Sequence, residues 1–164
     1  MPSFLVDAML GSTARKLRIL GFDTLYMKHT SDDVILETGL VENRIILTCD
    51  KSFFKRIVKV GAKGILLENF NDMENIVYTL SKYGVTSLCF DAARSRCSVC
   101  NGSLVKKKPV DVKKTIPSEI IKRHNEFFQC VNCNKIYWEG SHVGRIQLLV
   151  QKIENIMKKR TLQE

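Results

Sequence analysis

The sequence contains no uninterrupted apolar run near the roughly 20 residues that a bilayer requires. Its first seven residues lack a basic region and include an acid, so they do not resemble an export signal. We therefore expect a cytoplasmic protein that does not associate with a membrane. Glycine and proline are also sparse, at 9 and 3 of 164 residues, which argues against collagen-like and low-complexity chains.

Signatures of several common enzyme classes are absent as well. There is no glycine-rich dinucleotide fingerprint, no phosphate-binding Walker loop and no nucleophile elbow. The three histidines show no spacing typical of a catalytic triad or a catalytic zinc site. These absences disfavour dinucleotide-dependent oxidoreductases, P-loop nucleotide hydrolases and serine hydrolases.

Acidic side chains are outnumbered by basic ones, 17 to 26, which gives a net charge of +9. The excess is uneven, because residues 1–96 carry 13 basic and 11 acidic side chains whereas residues 97–164 carry 13 and 6. A strongly basic segment favours a polyanionic partner, with nucleic acid first and an anionic membrane surface second.

Apolar strand-like runs alternate with helix-like segments over the first ninety residues. The predicted strands cover 4–6, 24–27, 44–48, 64–67 and 86–90, and the predicted helices cover 13–20, 32–41, 51–60 and 72–83. This alternation is typical of α/β domains in which a parallel sheet has helices on both faces. A last helix, over 143–160, has apolar residues at helical spacing, so one face should pack against another element.

Two closely spaced cysteine pairs lie in the basic segment, Cys97 with Cys100 and Cys130 with Cys133. Two thiols at each of two tight turns can surround one tetrahedral zinc ion, and four cysteine ligands leave no open position, so the zinc should be structural. The 29 residues between the pairs exceed the usual spacing of roughly 15–20 and require an insertion. Two structural or redox-active pairs without metal are the alternative.

An asparagine follows each cysteine pair directly, at positions 101 and 134, and Asn101 is itself followed by a glycine. Asparagine and glycine tolerate the left-handed backbone conformation, so these residues predict the tight turns that a zinc site needs. The other two cysteines, Cys49 and Cys89, lie in apolar segments, where we expect small buried thiols.

Acidic residues follow three of the predicted strands. Asp7 comes directly after the first strand, Asp50 ends the third, and Asp32 and Asp33 open the helix after the second. Ligands of open parallel sheets bind beyond the carboxyl ends of the strands, so these acids can converge. Gathered carboxylates bind magnesium or manganese, and such an ion supports phosphodiester hydrolysis. Taken singly, each acid also fits an ordinary helix cap or turn.

Basic residues that can contact a nucleic-acid backbone lie in the first helix and in the cysteine-containing segment. They are Arg15, Lys106, Lys107, Lys108, Lys113 and Lys114. Aromatic residues at 127, 128, 137 and 138 can stack on bases, although we expect them mainly to fill the small core of this segment. A solvated lysine face over an aromatic core is the simpler alternative.

Several segments, in this order, resemble one known family. They are 4–11, 14–18, 20–26, 44–50, 97–102, 130–133 and 137–142. Together they are similar to the Mut-seven carboxy-terminal ribonuclease domain. The resemblance implies a PIN-like nuclease domain over residues 1–93, a zinc ribbon over 94–142, and a C-terminal amphipathic helix and tail over 143–164. It also implies metal-dependent cleavage of RNA.

The resemblance carries the catalytic acids of the family to Asp7, Asp32 and Asp50, with Asp33 as the fallback for the second. PIN-like enzymes commonly use a fourth acid, for which the candidates are Glu37, Glu68 and Asp72. Cys49 stands where the family usually has an arginine, which changes a substrate contact and not the metal site.

RNA, or a ribonucleoprotein, is therefore the expected partner, and the expected cofactors are a structural zinc and a catalytic magnesium or manganese. The main alternative is a non-catalytic RNA- or ribonucleoprotein-binding factor with a vestigial acidic site. A toxin-like nuclease silenced by a partner protein is a third interpretation. Replacing the acids by asparagine separates the first two, since cleavage should disappear while binding persists.

Overall fold

Strands and helices alternate along the first half of the chain. The structure is a computed structural model and describes residues 1–68, 71–140 and 142–161. The strands are β1 (Phe4–Val6), β2 (Thr24–Tyr26), β3 (Ile45–Thr48) and β4 (Gly64–Leu66), and the helices are α1 (Gly11–Ile19), α2 (Asp32–Val41), α3 (Lys51–Lys59) and α4 (Asp72–Lys82). The four strands are parallel and lie in the order β2-β1-β3-β4. The predicted α/β class is confirmed.

Side chains that alternate along the central strands fill two cores, one on each face of this sheet. Phe4 and Val6 of β1 belong to a larger core with residues of α1 and α4. Leu5, between them, packs with Ile35 of α2 and Phe53 of α3 on the opposite face. The helices therefore cover both faces, as the sequence predicts.

The prediction of a fifth strand over 86–90 is wrong. Within the described residues the parallel sheet has four strands, and this segment is irregular. Its apolar side chains, Leu88 and Phe90, pack against the larger core, and the Leu88 backbone N–H donates to the Glu154 carboxylate at 3.2 Å instead of to a neighbouring strand. For the same reason Cys89 is exposed, contrary to expectation, and Cys49 is only partly buried.

The second half of the chain forms a three-stranded antiparallel sheet. Its strands are β5 (Leu104–Lys107), β6 (Phe127–Cys130) and β7 (Ile136–Trp138), in the order β5-β6-β7. Two short helices, α5 (Pro109–Val112) and α6 (Ser118–Arg123), occupy the insertion that the long cysteine spacing requires. This small sheet with its four cysteines has the form of a zinc ribbon, as predicted.

The last helix, α7 (His142–Thr161), packs back onto the first half of the chain. Its residues Val150, Ile153 and Met157 join the larger core beside α4, which accounts for the apolar face that the sequence shows. None of the helices among the described residues combines the length and the hydropathy that crossing a bilayer demands.

The segment before the first cysteine pair docks onto α1. The Ser95 hydroxyl donates to the Ile19 carbonyl at 2.7 Å, and the Arg96 backbone N–H donates to the Arg18 carbonyl at 2.8 Å. Gly21, which ends α1 with φ of 91°, is required here because a Cβ would lie 3.0 Å from the Arg94 carbonyl oxygen. The close approach fixes the position of the zinc ribbon beside α1 and β2.

Candidate functional site

The four paired cysteines converge on one point of the ribbon. Their sulfur atoms all lie within 4.8 Å of one another, with Cys97 3.5 Å from Cys133 and Cys100 3.3 Å from Cys130. Among the described residues, no other group of three or more histidine, cysteine or acidic ligands is so close together. Four thiolates in this arrangement can hold a tetrahedral zinc ion with no open position.

Backbone geometry after each pair explains why the sulfurs meet. Asn101 and Asn134 have φ of 68° and 59°, and their N–H groups donate back to the carbonyls of Cys97 and Cys130 at 2.9 and 3.1 Å. The predicted left-handed turns are therefore confirmed. Gly102 is required for a different reason, since a Cβ there would lie 2.7 Å from the Cys130 sulfur.

The thiols of the cluster differ strongly in acidity. Burial opposes ionisation of Cys97, but the Tyr137 hydroxyl, 3.0 Å from its sulfur, and backbone N–H groups lower its pKa to about 6. Burial raises the pKa of Cys100 to about 12. The Tyr137 hydroxyl and the backbone N–H groups therefore favour the thiolate form of Cys97, which is the form that binds zinc.

Asp7 and Asp50 lie side by side at the carboxyl edge of the parallel sheet, where β1 and β3 are neighbours. The buried Thr48 hydroxyl connects them, because it donates to Asp7 Oδ2 at 2.9 Å and accepts the Asp50 backbone N–H at 3.0 Å. Asp7 Oδ1 accepts the Ala8 N–H at 2.5 Å, and Asp50 Oδ1 caps α3. Both acids thus act as caps, and they lie at the ends of neighbouring strands.

Asp32 and Asp33 open α2, as predicted, but both pair with a basic residue. Arg56 of α3 donates to Asp32 Oδ2 at 3.2 Å through one terminal nitrogen and contacts Asp33 through the other. Asp32 is the less exposed of the two, at 46% against 81% for its side chain. In the described parts of the chain, the carboxylates of Asp7, Asp32 and Asp50 do not form a cluster as tight as that of the cysteines.

The candidates for a fourth acid occupy different surroundings. Asp72, in the first turn of α4, accepts hydrogen bonds from the Ser12 and Thr13 hydroxyls at 2.5 and 2.7 Å and pairs with Lys16 at 2.5 Å. Burial raises the pKa of Asp72, but these partners outweigh it and lower the pKa below its usual value. Glu68 forms an exposed ion pair with Lys51 at 3.6 Å, and Glu37 is exposed on α2.

The predicted nucleic-acid contacts lie mainly at the surface. Arg15 is exposed on α1, whereas Arg18 on the same helix is buried and holds the first cysteine turn. Lys107 is partly buried, and the exposed lysines of the set are Lys106, Lys108, Lys113 and Lys114. Lys106 pairs with Glu126. The exposed members of the set, Arg15, Lys108, Lys113 and Lys114, can be reached by a polyanion.

We call the carboxyl edge of the parallel sheet with Asp7, Asp32 and Asp50 the acidic edge. Two residues that contact these acids, Thr48 and Arg56, were not predicted from the sequence. Thr48 could have been predicted from the sequence. It ends a buried strand two residues before an acid, a position from which its hydroxyl can bridge polar groups. Arg56 could not, because its contact with Asp32 joins two helices that no local pattern relates.

Comparison with protein families gives one match. The family model described as Mut7-C RNAse domain matches residues 2–150 of the 164-residue chain. Neither the curated proteins nor the solved structures provide a match.

Proposed function

The chain belongs to the Mut7-C RNAse domain family, and we propose that it is a metal-dependent ribonuclease whose zinc ribbon helps to hold RNA. One observation carries the proposal. The Thr48 hydroxyl joins the Asp7 carboxylate to the Asp50 backbone at the carboxyl edge of adjacent parallel strands, where ligands of such sheets bind.

The ligands at this edge fit a hard divalent cation. Asp7 and Asp50 offer carboxylate oxygens, which magnesium and manganese prefer over nitrogen or sulfur. Asp50 uses Oδ1 to cap α3, which leaves Oδ2 for a ligand. Magnesium or manganese, when bound, supplies an activated water and neutralises charge on the scissile phosphate.

Asp32 completes the acid set in this proposal. Arg56 contacts both Asp32 and Asp33, so Asp33 can retain the guanidinium when Asp32 turns toward the cation. The lower exposure of Asp32 supports its choice over Asp33.

The ribbon has a structural and a binding role. Cys97, Cys100, Cys130 and Cys133 hold zinc, which fixes the turns that dock on α1 and β2. The lysines of β5 and those that flank α5, namely Lys108, Lys113 and Lys114, bind phosphates of the RNA strand together with Arg15 and position it. This explains why the excess of basic residues lies in the ribbon half of the chain and not in the parallel-sheet half, which holds Asp7, Asp32 and Asp50.

One observation favours the alternative, a non-catalytic RNA- or ribonucleoprotein-binding factor. Asp32 is engaged by Arg56, and within the described residues no three carboxylates gather closely. In that case the basic ribbon supplies the affinity and the acidic edge is vestigial.

Cleavage of end-labelled single-stranded and hairpin RNA distinguishes the two functions. The protein is assayed with magnesium or manganese and without either, beside Asp7→Asn and Asp50→Asn. The enzyme predicts metal-dependent cleavage that both substitutions abolish, since a neutral amide is a poor ligand for a hard cation. Salt-dependent binding of RNA by all three proteins without cleavage would establish the binding factor instead.

Asp32→Asn and Asp33→Asn form a matched pair for the third ligand. Both remove one carboxylate from Arg56 and change the charge equally. The proposal predicts loss of cleavage for Asp32→Asn and retention for Asp33→Asn. The reverse result would assign the ligand to Asp33.

A further inference from the structure

A cavity of about 190 Å³ lies between the ribbon sheet, the segment before Cys97 and the first turns of α7. Four of the residues that line it are aromatic, namely Phe90, Phe128, Tyr137 and Trp138. Its volume is below the roughly 300–1,000 Å³ of pockets for drug-sized ligands. The cavity therefore suits a single planar ring system better than a large cofactor.

The face of the ribbon sheet from which Phe128 and Tyr137 line the cavity also carries a basic residue. In the strand register, Lys106 is opposite Phe128 and Phe128 is opposite Tyr137, so these three side chains leave the sheet on one side. The side chain of Lys106 is 63% exposed and reaches Glu126 at the surface. A polyanionic backbone that contacts Lys106 would thus pass next to an aromatic cavity.

Polar groups at the cavity differ in how firmly they are held. The Arg96 guanidinium donates to the Asn101 carbonyl at 3.0 Å and lies 3.5 Å from the Asp23 carboxylate, so its position is fixed. The Glu139 carboxylate is exposed and has no hydrogen-bond partner within the described part of the chain. It can accept hydrogen bonds from a ligand that presents N–H groups.

We propose that this cavity binds one unpaired base of an RNA strand. Base faces stack on aromatic side chains, base edges present N–H donors and acceptors, and the attached phosphates need a cation nearby. The aromatic residues of the lining and Glu139 supply the first two elements, and Lys106, on the same face of the sheet as Phe128, supplies the third. The inference rests on the proposed RNA substrate but not on catalysis, since the cavity lies on the ribbon and away from the acidic edge.

Trp138 is the only tryptophan in the chain and lines the cavity, so its fluorescence reports on occupancy. The protein, loaded with zinc and free of magnesium and manganese, is titrated with a short single-stranded oligoribonucleotide. An oligomer of the same length with abasic ribose phosphates is the control. We expect the first to change the emission and to bind at least about tenfold more tightly, because only it can stack. Equal binding of the two oligomers, or unchanged emission with the first, would overturn the proposal.

Two neighbouring alanines provide matched variants. Ala92 lines the cavity and is partly buried, whereas Ala93 is exposed and outside it. Ala92→Phe should fill the cavity and weaken binding of the base-containing oligomer about tenfold, while Ala93→Phe should bind as the unmodified chain does. Val143→Phe, on α7, should fill the same cavity. It is the variant to use if Ala92→Phe has a lower melting temperature than the unmodified chain. Full binding by a folded cavity-filling variant would rule out the site.

The cleavage assay keeps this proposal separate from the ribonuclease. Metal-dependent cleavage with no base-dependent emission change would support the ribonuclease and contradict the base-binding site. A base-dependent emission change without cleavage would establish the base site in a binding factor.

Discussion

The Asn101 side-chain oxygen accepts the Thr24 backbone N–H at 2.9 Å, across the boundary between the ribbon and the parallel sheet. The same amide donates to the Asp23 carboxylate at 2.8 Å. Because Asn101 closes the first cysteine turn in a left-handed conformation, the geometry of the cysteine site determines a contact at the start of β2. The ribbon and the parallel sheet should therefore unfold together.

We predict that Cys133→Ser abolishes zinc binding and lowers the melting temperature of the whole chain in one transition. A hydroxyl is a poor zinc ligand, and small zinc-binding modules depend on the metal for folding. Zinc content per chain and thermal unfolding by circular dichroism measure the two effects. Cys89→Ser is the matched control, because Cys89 is exposed and outside the cluster. A zinc-free Cys133→Ser protein that melts like the unmodified chain would contradict the coupling.

Arg18→Ala should destabilise the protein by about 1.5–3 kcal/mol, because a charged donor to one buried and one partly buried carbonyl is lost. The Arg18 side chain, in a residue only 6% exposed, donates to the carbonyls of Thr24 at 2.8 Å and Val99 at 3.0 Å. Arg15→Ala, on the same helix but exposed, should change the free energy of unfolding by less than about 0.5 kcal/mol. Urea unfolding of both variants tests the difference, and equal stabilities would show that the Arg18 contacts contribute little.

Local patterns predicted most of the fold. The repeated strand–helix alternation identified the parallel sheet, and the cysteine spacing with Asn101 and Asn134 identified the ribbon, because each signal lies within a few neighbouring residues. The segment 86–90 was misassigned since apolar composition indicates burial but not the partner. Leu88 and Phe90 are indeed partly buried, but against the larger core and not as a strand.

The acidic edge could be predicted only in part. Strand ends predicted that Asp7 and Asp50 lie at the same edge of the sheet, because adjacent parallel strands bring their carboxyl ends together. The pairing of Arg56 with Asp32, and of Lys16 with Asp72, joins residues 24 and 56 positions apart. No periodicity specifies such contacts, since they depend on how whole helices pack against one another.

Asp23 should make stability depend on pH in the acidic range. Its carboxylate pairs with Arg44 at 2.7 Å and accepts from Asn101. Burial raises the pKa of Asp23, but these partners outweigh it and hold the pKa below its usual value of about 3.9. When the pKa of a carboxyl group is lower in the folded state than in the unfolded state, its ionised form stabilises the fold at pH values above the unfolded pKa. That stabilisation is lost as the pH falls through the pKa of the folded state.

The chain should therefore lose stability as pH falls below about 4, and Asp23→Asn should lose less over the same range. At neutral pH the variant should be the less stable protein, since an amide cannot form the ion pair with Arg44. Urea midpoints measured from neutral pH down to about pH 3 compare the two. Parallel pH profiles for the two proteins would show that Asp23 does not contribute.

Thr48→Val should impair the acidic edge while keeping the shape of the side chain. The substitution removes the hydroxyl that donates to Asp7 and leaves the Asp50 N–H without its acceptor, at a cost of about 1–3 kcal/mol in stability. Since the hydroxyl holds the Asp7 carboxylate and the backbone at Asp50, we expect cleavage to slow by about tenfold or more and to require a higher magnesium concentration. The measurement is the cleavage rate as a function of magnesium concentration.

Thr48→Ser separates positioning from a general loss of packing, because it keeps the hydroxyl and removes only the methyl group from a fully buried residue. It should retain the magnesium dependence of the unmodified chain even if its melting temperature falls. Calorimetric titration with manganese gives a second readout that needs no cleavage, and there Thr48→Val should bind more weakly than Thr48→Ser. Equal manganese affinity of the two variants would mean that Asp7 and Asp50 are held in place without Thr48. Their geometry would then come from the helix-capping hydrogen bonds that Asp7 accepts from Ala8 and that Asp50 accepts at the start of α3.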